Sequence, residues 1–157
     1  MYTLRPAGPA DEALLFQLYA STREEELQLT GWDDAQREAF CRQQFDAQHR
    51  WYHEQYTDAT FDVVSDGDKE VGRLYVARWP AEIRIVDITL LPEHRGRGLG
   101  TAILTDLIAE ADAARLAVTA HVERFNPARG LYYRLGFRQK SETELHLLLS
   151  RPPARVA

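Results

Sequence analysis

A single cysteine, Cys41, is all the thiol chemistry this chain carries. That excludes an internal disulfide and fits a reducing compartment. No apolar run is long enough to span a membrane. Met1-Tyr2-Thr3-Leu4-Arg5-Pro6 lacks the apolar segment of a signal peptide, so a cytoplasmic protein with no membrane partner is expected. Repeats, linkers and low-complexity segments are absent too. The basic residues are dispersed within a net charge of −5, which argues against a nucleic-acid partner and is compatible with a cationic amine. What remains is 157 residues, 45% apolar and 27% charged, an ordinary globular composition. That length predicts one domain, 1–157, with 151–157 as a frayed tail.

Taken in order, Tyr2 to Ala7 reads as a short strand stopped by proline. Pro9-Ala10-Asp11-Glu12 opens a helix, with Leu14, Leu15 and Leu18 as its apolar face, running to about Leu27. Asp33 and Gln36 form a capping-box pattern for a second helix. On it Cys41, Phe45, Tyr52 and Tyr56 recur near helical spacing as core. His49 and His53 stand four apart, a spacing that could grip a metal. With no third ligand evident they read as a solvated helix face, and no metal is expected.

Three strands follow. Phe61 to Ser65 and Val71 to Trp79 are joined by the hairpin signal Asp66-Gly67, and Ile83 to Leu90 is the most apolar. A helix from Leu99 to about Arg115, a strand over Ala117 to Val122, a short helix capped by Asn126 and ended by Gly136, and two last strands complete the chain. The order is β-α-α-β-β-β-α-β-α-β-β, a mixed α/β layout.

The chemistry is concentrated in Leu90-Leu91-Pro92-Glu93-His94-Arg95-Gly96-Arg97-Gly98-Leu99-Gly100-Thr101. Glycines let backbone N–H groups approach a ligand, and the following helix aims its free N–H groups and positive dipole end at the same spot. Phosphate or pyrophosphate is the usual guest of such a site, and Arg95 and Arg97 add donors for its oxygens. A P-loop would need a lysine that is missing here. A dinucleotide loop counted from Gly96 would need glycine where Thr101 stands.

Arg95-Gly96-Arg97-Gly98-Leu99-Gly100, preceded by L-L-P-E-H, resembles the acyl-CoA loop of the GNAT superfamily, the acyl-CoA-dependent N-acyltransferases. Asn126…Leu131-Tyr132-Tyr133-Arg134-Leu135-Gly136-Phe137 resembles that family's later motif, and the element order is similar over essentially the whole chain. The resemblance implies a central mixed sheet with helices on both faces. It implies acetyl transfer from acetyl-CoA to a primary amine, on a small molecule or on a peptide or protein, by direct transfer in a ternary complex. It also raises a homodimer through the C-terminal strands.

Residue by residue, the resemblance implies that Ile88, Thr89 and Leu90 present backbone groups to the pantetheine and acyl carbonyl. Arg95, Gly96, Arg97, Gly98, Leu99, Gly100 and Thr101 would hold the pyrophosphate, Asn126 would contact the cofactor, and Tyr132 would protonate the thiolate. Counting back from Asn126 places the general base at His121. Counting back from Gly136 lands on Val122 instead, and Asp87 and Glu123 stay open as alternatives. An unperturbed imidazole titrates near ~6.5, suited to a base at neutral pH. The acceptor pocket falls to the first two helices, with Tyr19, Glu24, Glu25, Glu26 and Trp32 as candidates. Two other function classes remain open: a non-catalytic acyl-CoA-binding sensor with the same loop, and a nucleotide-binding α/β domain.

Overall fold

The computed structural model describes residues 1–154. Seven strands form one sheet in the order β1-β2-β3-β4-β5-β7-β6. They are β1 (Tyr2–Pro6), β2 (Thr60–Asp66), β3 (Lys69–Arg78), β4 (Glu82–Leu90), β5 (Ala117–Glu123), β6 (Arg138–Glu142) and β7 (His146–Arg151). The helices are α1 (Glu12–Gln28), α2 (Asp34–Gln55), α3 (Leu99–Ala113) and α4 (Arg129–Arg134). The β-α-α-β-β-β-α-β-α-β-β order expected from the sequence is the order found. The β1/β2, β5/β7 and β6/β7 pairs run antiparallel and β4/β5 parallel.

The chain divides into two compact units, 1–74 with 89–95, and 75–88 with 96–157. In the first, Leu15, Leu18 and Tyr19 of α1 pack with Phe45 of α2 and Leu91. Burying each of these side chains is worth roughly 1.5–3 kcal/mol. The α1 start differs from expectation: Pro9–Asp11 is a separate 3-10 turn. The Asp11 carboxylate accepts from Gly8 N at 2.7 Å and from Arg5, which draws the chain into that turn and holds Asp11 down at about 2. At α2 the capping box is present, with Gln36 N donating to Asp33 Oδ1 at 2.8 Å and Asp33 N donating to Gln36 Oε1 at 3.0 Å.

One correction concerns His49 and His53. His49 is half-buried, and its ring lies 5.6 Å from Phe45 and 4.5 Å from His53, which stacks on Phe61 at 4.0 Å. His49 is thus drawn into a ladder of rings, while His53, stacked on Phe61, remains exposed as expected. No group of three metal-ligating side chains exists among the described residues.

In the second unit α3 lies against β5, burying Ile103, Leu104, Leu107, Ile108 and Ala111. Its last turn closes on Arg115 at φ 58, with Leu116 N donating to Ala111 O at 2.8 Å and Arg115 N to Asp112 O at 3.1 Å. That is a Schellman ending built without glycine. Asp112 accepts from Arg151 at 2.9 Å and from Ala154 N at 2.9 Å. The expected loose tail is therefore tied as far as Ala154, and 155–157 lie outside the described residues.

Candidate functional site

In the second unit, α3 begins without a side-chain cap. Gly98 stands at its N-cap with φ 86, and the first helical bond is Ala102 N to Gly98 O at 2.9 Å. The N–H groups of Leu99, Gly100 and Thr101 precede that bond and have no acceptor within the helix. Gly96 also has positive φ, at 72°. A Cβ on Gly96 or Gly98 would meet nothing within 4 Å, so these glycines answer to backbone conformation and to an open face above them. Arg97 is exposed beside that face. Free N–H groups, a dipole end and clear space fit a pyrophosphate.

The parallel ladder between β4 and β5 is short. Its rungs run from Glu82↔Ala117 to Ile85↔Ala120, while β4 continues through Val86, Asp87 and Ile88 and β5 through His121. Burial alternates along β4 until Ile85 and Val86 are both buried, which marks the break in the pleat. Along its other edge, β5 is paired with β7 from Val118 to Glu123. Among the described residues the β4–β5 rungs thus stop at Ile85, three residues before Ile88, where the acyl group was expected.

Three of the expected residues, Asp87, His121 and Tyr132, fall in this unit. His121 is exposed on β5, with the His146 ring 5.8 Å away. Partial burial, then the charge of Arg84, then His146 hold its imidazole below the usual range. Tyr132 is 3% exposed and meets Phe137 edge-on at 5.2 Å. Burial, and next the carboxylate of Asp87, push its phenol well above the ordinary tyrosine value. Such a hydroxyl stays protonated and able to donate throughout the physiological range.

The segment that carries Tyr132 departs from expectation at its start. Ala128, not Asn126, is the cap residue of α4. Asn126 organises the turn before it, accepting from Ala128 N through Oδ1 at 2.8 Å and from Arg129 N through its carbonyl at 3.1 Å. Proline at 127 suits that turn as well as a helix start, so the letters do not separate the two. The Nδ2 donors of Asn126 are not used in this turn. The α4 end is as expected: Gly136 has φ 98, and Phe137 N donates to Tyr132 O at 3.1 Å, which fixes the Tyr132 backbone.

The first unit holds the other expected residues. Thr89 and Leu90 are half-buried at the end of β4. Arg95 is committed elsewhere than the loop, donating to Leu90 O at 2.9 Å and to Ser21 Oγ on α1 at 3.1 Å. A cavity of about 450 Å³ opens among α1, α2 and the residues after β4. Phe16, Leu27, Cys41 and Leu91 line it with one cation, Arg37, and three acids, Glu24, Glu38 and Glu93. Burial raises the Cys41 thiol, so it is not a ready nucleophile. Of the acceptor candidates only Glu24 lines this cavity. Tyr19 is core, Glu25 and Glu26 are solvent-exposed, and Trp32 packs on Phe40 at 5.4 Å.

Sequence reasoning missed Glu38 and Glu93, for which helix spacing from Glu24 gives no signal. It also missed Gly72. A Cβ there would come within 2.6 Å of Thr89 O, so the β4 end sits where only glycine on β3 lets it. An isolated glycine inside a strand was the available signal.

The family model described as the acetyltransferase (GNAT) family matches residues 20–137. No curated protein matches the sequence significantly. Among solved structures, the PaiA N-acetyltransferase of Thermoplasma acidophilum, crystallised with coenzyme A, is similar at 13% identity and TM-score 0.70, over 97% of this chain and 99% of that one. An acetyltransferase of Thermus thermophilus is 25% identical, at TM-score 0.68 over 97% of each chain. A GNAT acetyltransferase of Elizabethkingia anophelis with acetyl-CoA bound is 14% identical, at TM-score 0.61 over 96% of this chain and 97% of that one.

Proposed function

This chain belongs to the GNAT acetyltransferase family, and we propose that it transfers an acetyl group from acetyl-CoA directly to a primary amine. The observation that carries the reading is the pairing, within one unit, of an uncapped glycine-led α3 start with a buried, protonated Tyr132.

Each residue then has a task. The backbone N–H groups of Gly96 to Thr101, with Arg97 beside them, hold the pyrophosphate. Asn126 Nδ2 steadies the pantetheine arm. Backbone groups of Ile88, Thr89 and Leu90 meet the acyl carbonyl, where an N–H donor stabilises developing negative charge. His121, held neutral, takes a proton from the acceptor ammonium, directly or through water. The amine nitrogen bonds to the carbonyl carbon, the carbon–sulfur bond breaks, Tyr132 gives its proton to the departing sulfur, and the second proton shed by the nitrogen as it becomes an amide returns through solvent to the Tyr132 oxygen. Asp87 keeps that proton on Tyr132 until then. Holding two substrates together supplies much of the acceleration by itself.

The acceptor is assigned to the cavity that contains Glu24, Glu38 and Glu93, whose carboxylates attract an ammonium group. Leu91 to Glu93, on its wall, directly continue the β4 end. The same reading takes 1–157 as one catalytic domain acting in the cytoplasm.

Calorimetric titration with acetyl-CoA, followed by thiol release over a panel of amines, tests this. Binding with release on an amine is expected. Binding without release from any amine overturns catalysis in favour of an acyl-CoA sensor. No binding overturns the whole assignment.

A further inference from the structure

Three arginines of α1 and α2 are used in different ways. Arg42 pairs with Glu12 at 3.0 Å, its guanidinium 3.9 Å from the centre of the Phe16 ring. Arg23 pairs with Glu26 at 3.0 Å and donates to the Tyr19 hydroxyl at 3.2 Å. Arg37, on the wall of the cavity in the first unit, has no such partner among the described residues. Its Nε is buried with nothing to accept from it, which costs free energy. The helix gains nothing from it either. Arg37 is the fourth residue of α2, near the positive end of the dipole, where a cation is disfavoured. Glu24, Glu38 and Glu93 share the cavity wall, yet no ion pair joins any of them to Arg37. The wall thus carries both signs of charge, unpaired with each other, together with the apolar Phe16, Leu27 and Leu91.

We propose that the acceptor is a primary amine that also carries a carboxylate, an amino acid with an apolar side chain, and that Arg37 binds the carboxylate while the cavity acids draw the ammonium. This rests on the reading of the cavity as the acceptor site. A carboxylate takes two parallel N–H bonds from a guanidinium, and so supplies the acceptor that Arg37 lacks. An amine without an anion leaves Arg37 unpaired. The apolar part of the wall suits an apolar side chain, and about 450 Å³ suits a small molecule. A protein lysine or a peptide N-terminus has its own carboxyl tied up in the next amide and does not match Arg37. The transfer itself is unchanged: the ammonium becomes an N-acetyl amide, coenzyme A leaves as its thiol, and one proton goes to solvent.

The test uses the full chain as wild type, Arg37→Met and Arg37→Lys. Leucine, methionine and phenylalanine are each set against the amine left when the carboxyl group is removed. Thiol release gives kcat and KM, and calorimetry gives the acetyl-CoA Kd and the affinity of each acceptor beside coenzyme A. For at least one pair, wild type should favour the amino acid by about 10- to 100-fold in kcat/KM, mostly through KM, the worth of hydrogen bonds to a charged group. Arg37→Met should abolish that preference while the rate with the decarboxylated amine and the acetyl-CoA Kd stay near wild type. Arg37→Lys should keep part of it, because an ammonium has the charge without the fork. No preference for the amino acid in any pair overturns the proposal and leaves the acetyltransferase reading standing, as does a preference that survives Arg37→Met. The wild-type comparison needs no variant, so it holds even if Arg37→Met folds poorly. If no amine is turned over, the catalytic reading falls and calorimetry decides the site. An amino acid that binds wild type but not Arg37→Met supports it, and no binding by any of the three overturns it.

Discussion

Arg95 donates a hydrogen bond to the hydroxyl of Ser21 on α1 at 3.1 Å, and its Nε is taken by the Leu90 carbonyl at 2.9 Å. Two of the five guanidinium N–H donors of Arg95 are thus engaged within its own unit, whereas Arg97 is exposed beside the glycines.

The two arginines should therefore separate in salt. Arg97→Ala should weaken acetyl-CoA binding about 3- to 10-fold and flatten its dependence on ionic strength, because exposed charges are screened within roughly 10 Å at 0.1 M salt. Arg95→Ala should keep the wild-type salt dependence. Calorimetric Kd values at low and high salt check this, and equal slopes in the two variants would count against the division of labour.

Gly98 sits at φ 86 with open space around a would-be Cβ. Gly98→Val should cost roughly 1–2 kcal/mol of backbone strain without a clash. If the loop relaxes to escape it, acetyl-CoA affinity falls by about tenfold for each 1.4 kcal/mol. An unchanged Kd would show that the loop does not hold the cofactor.

Tyr132→Phe should lower kcat by roughly 10²-fold, the ordinary worth of a general acid, while cofactor affinity stays near wild type. The pH arm concerns Asp87. Its negative charge, after burial, raises the Tyr132 phenol, so Asp87→Asn should lower it and bring the falling limb of the rate profile to lower pH than in wild type. A falling limb that does not move would break the link between these two residues.

The cavity prediction concerns KM. Glu24→Gln and Glu38→Gln should each raise KM for the best amine by roughly 3- to 10-fold, the order of a partly exposed charge interaction, with acetyl-CoA affinity unaffected. Unchanged KM in the double variant would move the acceptor to another part of the molecule.

For stability, Arg115 is the place to look. It occupies the left-handed region at φ 58 in the α3 ending. Arg115→Gly should relieve roughly 1 kcal/mol of strain and raise Tm by about 2–4 °C. A lower Tm would mean that the Arg115 side chain contributes more than its backbone loses.

Much of the architecture was legible because its punctuation is local. Asp66-Gly67 makes a hairpin, Asp33 and Gln36 cap α2, and Gly136 ends α4, all through interactions between neighbours in sequence. The uncapped start of α3 was legible for the same reason. What stayed hidden depends on partners far along the chain. That Arg95 donates to Ser21, 74 residues away, has no local signature. Glu38 and Glu93 are exposed acids that folding brings to one cavity with Glu24, a meeting no local pattern announces. His49 and His53 have the spacing of a hydrophilic face, yet the Phe45 and Phe61 rings flank them. Pattern along a helix reports which residues share a side, not what the rest of the chain lays against it.

The last strand of the sheet order has a bearing on how the protein behaves in quantity. Every residue of β6, Arg138-Gln139-Lys140-Ser141-Glu142, is exposed, and its register against β7 shifts between Gln139 and Ser141. An outer strand with alternating charges and a kinked hydrogen-bond line is a poor seed for further strands. Concentrated solutions are thus defended at this border against fibre growth, and a variant that straightened Lys140 into line and replaced its charge would be the one to watch for turbidity.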